Sequence, residues 1–305
     1  MSSRVLEAPE RPSLRALLRR DGIVVAPGAY DMLSALLIEQ VGFECVYLTG
    51  NGQAASMLGV PDVGLITLSE MAERVRATRA CVGIPLIADA DIGYGSYISV
   101  QRTVREFEAA GAGGIQIEDQ ASPKRCGHEL GRQVVPVEEM VARLRAAADA
   151  RRPDTVLIAR TDARTTLGLE EAIRRGNAYA DAGADIVFVE SPESEDEFRA
   201  IAAGVSAPVL ANMVETGRSP YLGADQLERL GVKVAIYPAT AFLAATGAVR
   251  RALRELRARG RVEDARADML SLQDYHALLR FHDYAGAEQR YAPANSTTRE
   301  AQAHG

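Results

Sequence analysis

Residues 99–120 read SVQRTVREFEAAGAGGIQIEDQ. Ser99–Ala110 has the pattern of a helix, and Gly111 is suited to stop it. Gly114–Glu118 is then a short, mostly apolar run that closes on Glu118-Asp119-Gln120. The same order recurs at Leu169–Ala182, Gly183 and Ile186–Glu190. Working outward, short β-branched runs stand at Ile23–Ala26, Cys45–Thr49, Pro85–Asp89, Gly114–Glu118, Thr155–Arg160, Ile186–Glu190, Pro208–Asn212 and Val232–Tyr237. Continuous apolar runs of this length suit strands buried on both faces of a parallel sheet. Helical patterns separate them, clearest at Ser99–Ala110, Val137–Ala150, Leu169–Ala182 and Thr240–Gly260.

Eight such units predict a (β/α)8 barrel in preference to a doubly wound sheet. The expected organisation is a single domain over residues 1–305. Its barrel core spans about 22–260, followed by a helical extension over 261–285 and a polar tail over 286–305. Pro12–Arg20 reads as an extra N-terminal helix, and Ala267–Phe281 as an amphipathic one.

Composition narrows the function. A net charge of -6 and a pI of about 5.4 argue against a general nucleic-acid binder. Three cysteines, Cys45, Cys81 and Cys126, make no disulfide framework. Met1–Arg20 lacks the apolar segment of a signal peptide, and no apolar run is long enough to span a bilayer. The expected location is the cytoplasm.

The ends of the predicted strands are polar: Thr49-Gly50-Asn51-Gly52, Asp89-Ala90-Asp91, Glu118-Asp119-Gln120, Arg160-Thr161-Asp162, Glu190, and Asn212 with Glu215 beyond it. In a barrel these converge on the face where active sites sit. Burying so many charges without a ligand would be costly. Asp89 and Asp91 are expected to hold a hard cation, Mg²⁺ or Mn²⁺, with Asp62 and Glu118 completing the shell through water. Zinc is not expected, because no Cys/His pair stands at ligand spacing. Cys126 is the expected catalytic acid, because Lys124, Arg125 and His128 flank it and cations lower a thiol pKa. Cys45 and Cys81 read as structural. Gly50-Asn51-Gly52-Gln53-Ala54-Ala55 matches a relaxed dinucleotide fingerprint, but Glu70 and Glu73 fall in a helical pattern where an acidic strand end is needed.

The chain resembles the isocitrate lyase/phosphoenolpyruvate mutase superfamily from about Pro27 to Gly260. The resemblance is carried by Pro27-Gly28-Ala29-Tyr30-Asp31, Leu58-Gly59-Val60-Pro61-Asp62, Asp89-Ala90-Asp91-Ile92-Gly93-Tyr94-Gly95, Ile117-Glu118-Asp119-Gln120, Lys124-Arg125-Cys126-Gly127-His128, Ala159-Arg160-Thr161-Asp162-Ala163 and Ala211-Asn212-Met213-Val214-Glu215. It implies a barrel, Mg²⁺, a 2-oxo acid as substrate or product, and a homotetramer, a dimer of helix-swapped dimers. Lyases of the family carry the cysteine loop, whereas phosphonate enzymes carry an asparagine there.

The implied reaction is Mg-dependent carbon–carbon cleavage of a 2-hydroxy dicarboxylate, of the 2,3-dimethylmalate type, to a 2-oxo acid such as pyruvate plus a carboxylate. The resemblance makes Tyr47 a candidate base and gives His128 and Glu190 the positioning of Cys126. Thr49, Gly50, Asn51, Gly127, Arg160 and Asn212 are expected at the substrate. Methylisocitrate-cleaving relatives carry a threonine and two arginines where this chain has Val214, Leu243 and Leu272, which points to an alkyl-bearing dicarboxylate. Pro238 stands where oxaloacetate-hydrolysing relatives tend to carry serine. Methylisocitrate cleavage, oxaloacetate hydrolysis or decarboxylation, and a silent binding relative are the other readings. Gln116 stands where many relatives carry histidine, a departure whose effect the sequence does not reveal.

Overall fold

A computed structural model of the chain describes residues 12–125, 127 and 131–292. Eight parallel strands close into a barrel in sequence order. They are β1 Val24–Ala29, β2 Val46–Leu48, β3 Leu86–Asp89, β4 Gly114–Glu118, β5 Val156–Thr161, β6 Ile186–Val189, β7 Val209–Asn212 and β8 Val232–Tyr237. Each overlaps its predicted run. The largest difference is β1, which runs on through Pro27 and Gly28 to Ala29. Proline is tolerated there because β1 hands over from one neighbour to the other: Val24 to Pro27 pair with β8, and Gly28 and Ala29 with β2.

The seam between β1 and β8 leaves no room for a side chain. A Cβ at Gly28 would lie 2.5 Å from the Pro238 Cα. Gly28→Ala is therefore expected to lower stability by about 1–3 kcal/mol through overpacking, read from the denaturant midpoint.

The interior is apolar. Ala26, Ile87, Ile158, Phe188, Leu210 and Ile236 form one buried cluster, which Leu14 and Leu17 join. Those leucines belong to the helix Leu14–Arg19, matching the predicted N-terminal helix. Arg15 ties that helix down by donating to the Pro153 and Thr155 carbonyls and pairing with Asp185. A second cluster, including Val75, Val104, Phe107, Met140 and Leu144, packs helices onto the outside of the strands.

Among the described residues, those up to 247 make one compact unit, and 248–292 belong to a second. The helix Thr240–Arg259 starts in the first and ends in the second. The predicted Ala267–Phe281 helix is instead a 3₁₀ turn, Asp264–Asp268, and two helices, Leu272–Leu278 and Phe281–Tyr291. Arg280 separates the two helices in the left-handed region, at φ 55°. The last helix also runs through Gly286, into the stretch expected to be a polar tail.

Candidate active site

The carboxyl ends of β2 to β8 bring the predicted polar residues to one end of the barrel. At the end of β3, Asp91 adopts φ 48°, a region unfavourable for a non-glycine residue. Its N–H donates to Asp89 Oδ1 at 3.1 Å, and its carbonyl accepts from the Glu118 N–H at 2.9 Å. The strained turn thus sets the two aspartates side by side. Gly50, just past β2, donates its N–H to Asp89 Oδ2 at 3.3 Å, and a Cβ there would come within 2.8 Å of that oxygen. Of the two glycines that mimic a dinucleotide fingerprint, Gly50 serves this close carboxylate approach, whereas Gly52 packs against Thr49 and Tyr30. Glu70 closes a capping box on Thr67 at the start of a helix, consistent with its predicted helical setting.

Lys124 pairs with Asp91 and, at 2.8 Å, with Asp62, and its side chain is only 4% exposed. Burial pulls its pKa down, but Asp91, Glu118, Asp62 and Asp89 together hold the ammonium well above its ordinary value. Burial pushes Asp91 up to about 6 against the pull of Lys124, with Asp89 and Asp62 adding to the rise. Lys124 is predicted as a flanking charge for Cys126, yet its charge is balanced by two carboxylates.

Arg160, at the end of β5, is the hub of the buried charges. Its Nε and Nη2 donate to both oxygens of Asp162 at 2.9 Å. Nη1 lies 3.4 Å from Glu118 and Nη2 lies 3.2 Å from Glu190, and the guanidinium stacks over Phe188 at 5.1 Å. Arg132 pairs with the same Asp162 and donates to Thr165 Oγ1 at 2.6 Å. Asp119 braces the group from behind. It accepts from the Asp162 N–H, the Thr161 and Tyr179 hydroxyls and Arg175, all within 3.0 Å.

The donor set suits a hard divalent cation. Among the described residues, Asp62, Asp89, Asp91, Glu118, Asp162 and Glu190 meet Lys124, Arg132 and Arg160 in this cluster, so acidic groups outnumber cations by three. Glu118 Oε1 is buried without a hydrogen-bond partner among the described residues. Burial raises the Glu118 pKa well above the carboxylate range against the opposing charge of Arg160. Asp89 and Asp91, set side by side, offer the one or two carboxylates by which Mg²⁺ is usually held, the rest of its shell being water.

The segment after β4 is anchored on both sides of its cysteine. Gln120 accepts from the Arg125 N–H and donates to its carbonyl, each at 2.9 Å. Gln120 also bridges Val134. Cys126 and His128 lie outside the described residues. Gly127 packs against the Arg160–Glu190 pair, and its carbonyl accepts from Ser191 Oγ at 3.2 Å. A Cβ there would lie 2.8 Å from Glu190 Oε2 and closer still to Arg160 Nη2. Gly127→Ala is expected to cut kcat/KM at least about tenfold while moving stability by under about 1 kcal/mol, because the anchored loop, not the core, must yield.

These groups surround a cavity of about 240 Å³. Its polar lining is Tyr47, Thr49, Asn51, Asp62, Asp89, Arg160, Glu190 and Asn212, with Gly127 among them. Its apolar lining is Val214, Pro238 and Leu243, together with Phe188, Ile236 and Phe242. Gly50, Asp91 and Glu118 stand behind the lining, and Leu272 belongs to the second compact unit. Tyr47 donates its hydroxyl proton to Gln116 Oε1 at 3.1 Å. Burial and the neighbouring Asp89 raise its pKa well above 10, so the phenol here is a neutral hydrogen-bonding group, which does not suit the expected role of base.

Sequence reasoning missed Phe242, Arg132 and the burial of Lys124. Phe242 was adjacent to a named position, Leu243. Arg132 had only a neighbouring glycine as a signal.

The phosphoenolpyruvate phosphomutase family profile matches residues 14–257. The chain is 46% identical over 280 residues to the 2,3-dimethylmalate lyase of Eubacterium barkeri, covering 92% of this chain and 97% of that one. It is also 46% identical over 280 residues to the 2-methylisocitrate lyase of Aeropyrum pernix, covering 91% and 90%. Oxaloacetate acetylhydrolase bound to 3,3-difluorooxalacetate superimposes with a TM-score of 0.87 at 37% identity, over 91% of this chain and 95% of that one. Phosphonopyruvate hydrolase with oxalate and Mg²⁺ follows at 0.82 and 35%, over 91% and 97%.

Proposed function

Because the chain belongs to the phosphoenolpyruvate mutase/isocitrate lyase superfamily, we propose that it cleaves the C2–C3 bond of an alkyl-substituted 2-hydroxy dicarboxylate. The substrate is of the 2,3-dimethylmalate class, and the products are a 2-oxo acid such as pyruvate and a carboxylate. One observation carries this reading: the make-up of the cavity lining. Among its described lining residues Arg160 is the only cation, and three carboxylates already share it. The lining residues Val214, Phe242, Leu243 and Pro238 offer alkyl groups an apolar surface and a third carboxylate no charge.

The chain's own residues divide the work. Asp89 and Asp91 are the groups to hold Mg²⁺ or Mn²⁺, with Asp62 and Glu118 reaching it through water. A bound ion supplies Lewis acidity at the substrate's 2-oxygen. Arg160 and the polar groups of Thr49, Asn51 and Asn212 orient the carboxylates, and Tyr47 meets the 2-oxygen. The 2-hydroxyl gives up its proton to solvent as C2 becomes a carbonyl, and the C2–C3 bonding electrons pass to C3, delocalised into its carboxylate. The Cys126 thiol gives C3 its proton. His128 and Glu190 position that thiol, and Gly127 packs on Arg160 beside it.

A panel of 2,3-dimethylmalate, 2-methylisocitrate, citramalate and oxaloacetate tests the reading, scored for pyruvate or, with oxaloacetate, oxalate. The expected result is the highest kcat/KM on 2,3-dimethylmalate and loss of turnover on chelation. Faster reaction of 2-methylisocitrate or oxaloacetate would overturn the assignment of Val214, Pro238 and Leu243.

The same superfamily membership supports a homotetramer of helix-swapped dimers acting in the cytoplasm. No described helix is long and apolar enough to cross a membrane. Within residues 248–292, Val249, Leu253, Leu256, Leu272, Phe281 and Tyr284 are all exposed. An apolar set of that extent is expected to be covered in an assembly. Light scattering at four chain masses is the expected result.

A further inference from the structure

The hydrogen bonds joining β2, β4 and β3 have a direction. Asp89 Oδ1 accepts from Gln116 Nε2 at 3.2 Å and from the Asp91 N–H at 3.1 Å. Asp89 Oδ2 accepts from the Gly50 N–H at 3.3 Å. A carboxylate has no proton to give, so the NH₂ end of the Gln116 amide faces Asp89. The carbonyl end therefore faces Tyr47, whose hydroxyl donates to it at 3.1 Å. Gln116 is fully buried, so no water can substitute for either partner without cost. A phenol has one proton. Once that proton is on Gln116, Tyr47 has only lone pairs to offer the cavity it lines.

An imidazole at this position, with one N–H on Asp89, would offer Tyr47 a lone pair when neutral and a second N–H when charged, whereas an amide offers only its carbonyl oxygen. The two ends of an amide cannot exchange roles while Asp89 fixes one of them. The departure at Gln116, silent in the sequence, thus has a definite physical consequence.

We infer that Gln116 is a positioning residue that fixes Tyr47 as a hydrogen-bond acceptor at the substrate's 2-oxygen, so the site selects a 2-hydroxy acid over the matching 2-oxo acid. This deepens the lyase reading and rests on it for the placement of the 2-oxygen. A substrate hydroxyl donates to Tyr47. A carbonyl at the same place sets lone pair against lone pair. Cleavage turns the first into the second, so the same contact that holds the substrate loosens the 2-oxo product.

The test uses the Mg²⁺-loaded protein and a matched pair without a C3 carboxylate, so that binding is read without cleavage. Each lactate enantiomer and pyruvate are titrated by calorimetry into the wild type, Gln116→Met, Tyr47→Phe and the double variant. Gln116→Met frees the phenol proton to turn into the cavity. It is expected to shift the lactate-to-pyruvate affinity ratio toward pyruvate by about tenfold, the scale of one mismatched buried polar contact. Tyr47→Phe should shift the ratio in the same direction, and the double variant should match Tyr47→Phe. A purely structural role for Gln116 would weaken both ligands together and leave the ratio unchanged.

An unchanged ratio in Gln116→Met overturns the inference. So does a shift that persists when Tyr47 is already phenylalanine, and so does a wild-type ratio in Tyr47→Phe. Turnover of 2,3-dimethylmalate is scored separately. Its absence with the expected ratios intact removes the lyase reading alone.

Discussion

Replacing Cys126 with serine is expected to lower turnover by two to four orders of magnitude, the range a positioned general acid contributes, while Mg²⁺ and pyruvate still bind. A serine hydroxyl fills nearly the same volume but is a far weaker acid, so C3 keeps its carbanion character longer. The neighbours make the variant a clean one. Lys124 is buried on Asp62 and Asp91, Arg125 is clamped by Gln120, and Gly127 lies against Arg160 and Glu190. None of those contacts depends on sulfur. Single-turnover kinetics with 2,3-dimethylmalate, beside calorimetric titration of pyruvate, separates the two effects. Full activity in Cys126→Ser would show that another group delivers the proton.

Arg160→Met is expected to abolish detectable turnover and to destabilise the fold by about 3–5 kcal/mol, the scale for removing one partner of a buried charge pair. The guanidinium serves Asp162, Glu118 and Glu190 at once, from the end of a buried strand. Methionine fills the space but leaves Glu118 and Glu190 without that cation, whereas Asp162 keeps Arg132. Arg160→Lys should recover only part of the loss, because one ammonium cannot reproduce the bidentate contact with Asp162 and the contacts to two other carboxylates.

The variant also carries a pH signature. The Glu118 pKa already stands above its unfolded value because of burial, and Arg160 is the largest opposing influence. Removing Arg160 raises it further. A carboxyl whose folded pKa exceeds its unfolded pKa binds more protons when folded, so stability falls as pH rises between the two values. Denaturant midpoints for Arg160→Met should therefore go on falling with rising pH to a higher pH than those of the wild type. An unchanged upper end of that fall would mean that Glu118 is not the group left exposed to the loss.

The barrel was legible because its signal is local. SVQRTVREFEAAGAGGIQIEDQ becomes the helix Tyr97–Ala110, a left-handed Gly111 and the strand Gly114–Glu118. Periodicity, a stop residue and a buried strand each act over a few neighbouring residues. The polar strand ends were legible for the same reason, since a charge that interrupts an apolar run stands out by itself. The amphipathic segment at Ala267–Phe281 was less so. Its break at Arg280 has no proline or glycine to announce it.

The partnerships within the site were decided by the tertiary structure. Residue type alone placed Lys124 beside Cys126 as a basic flank, but barrel closure buries it on Asp62, 62 positions away, and on Asp91. Arg132, invisible as a site residue, meets Arg160 on Asp162 because the segment after β4 returns across β5. Gln116 was a bare substitution until three strands set it between a phenol that can donate and a carboxylate that can only accept. The sequence by itself determined the order of strands and helices and the cluster of charges at one end. Which charge meets which, and which way a proton points, came from pairings across strands, because hydrogen bonds and burial depend on distances that only the closed barrel sets.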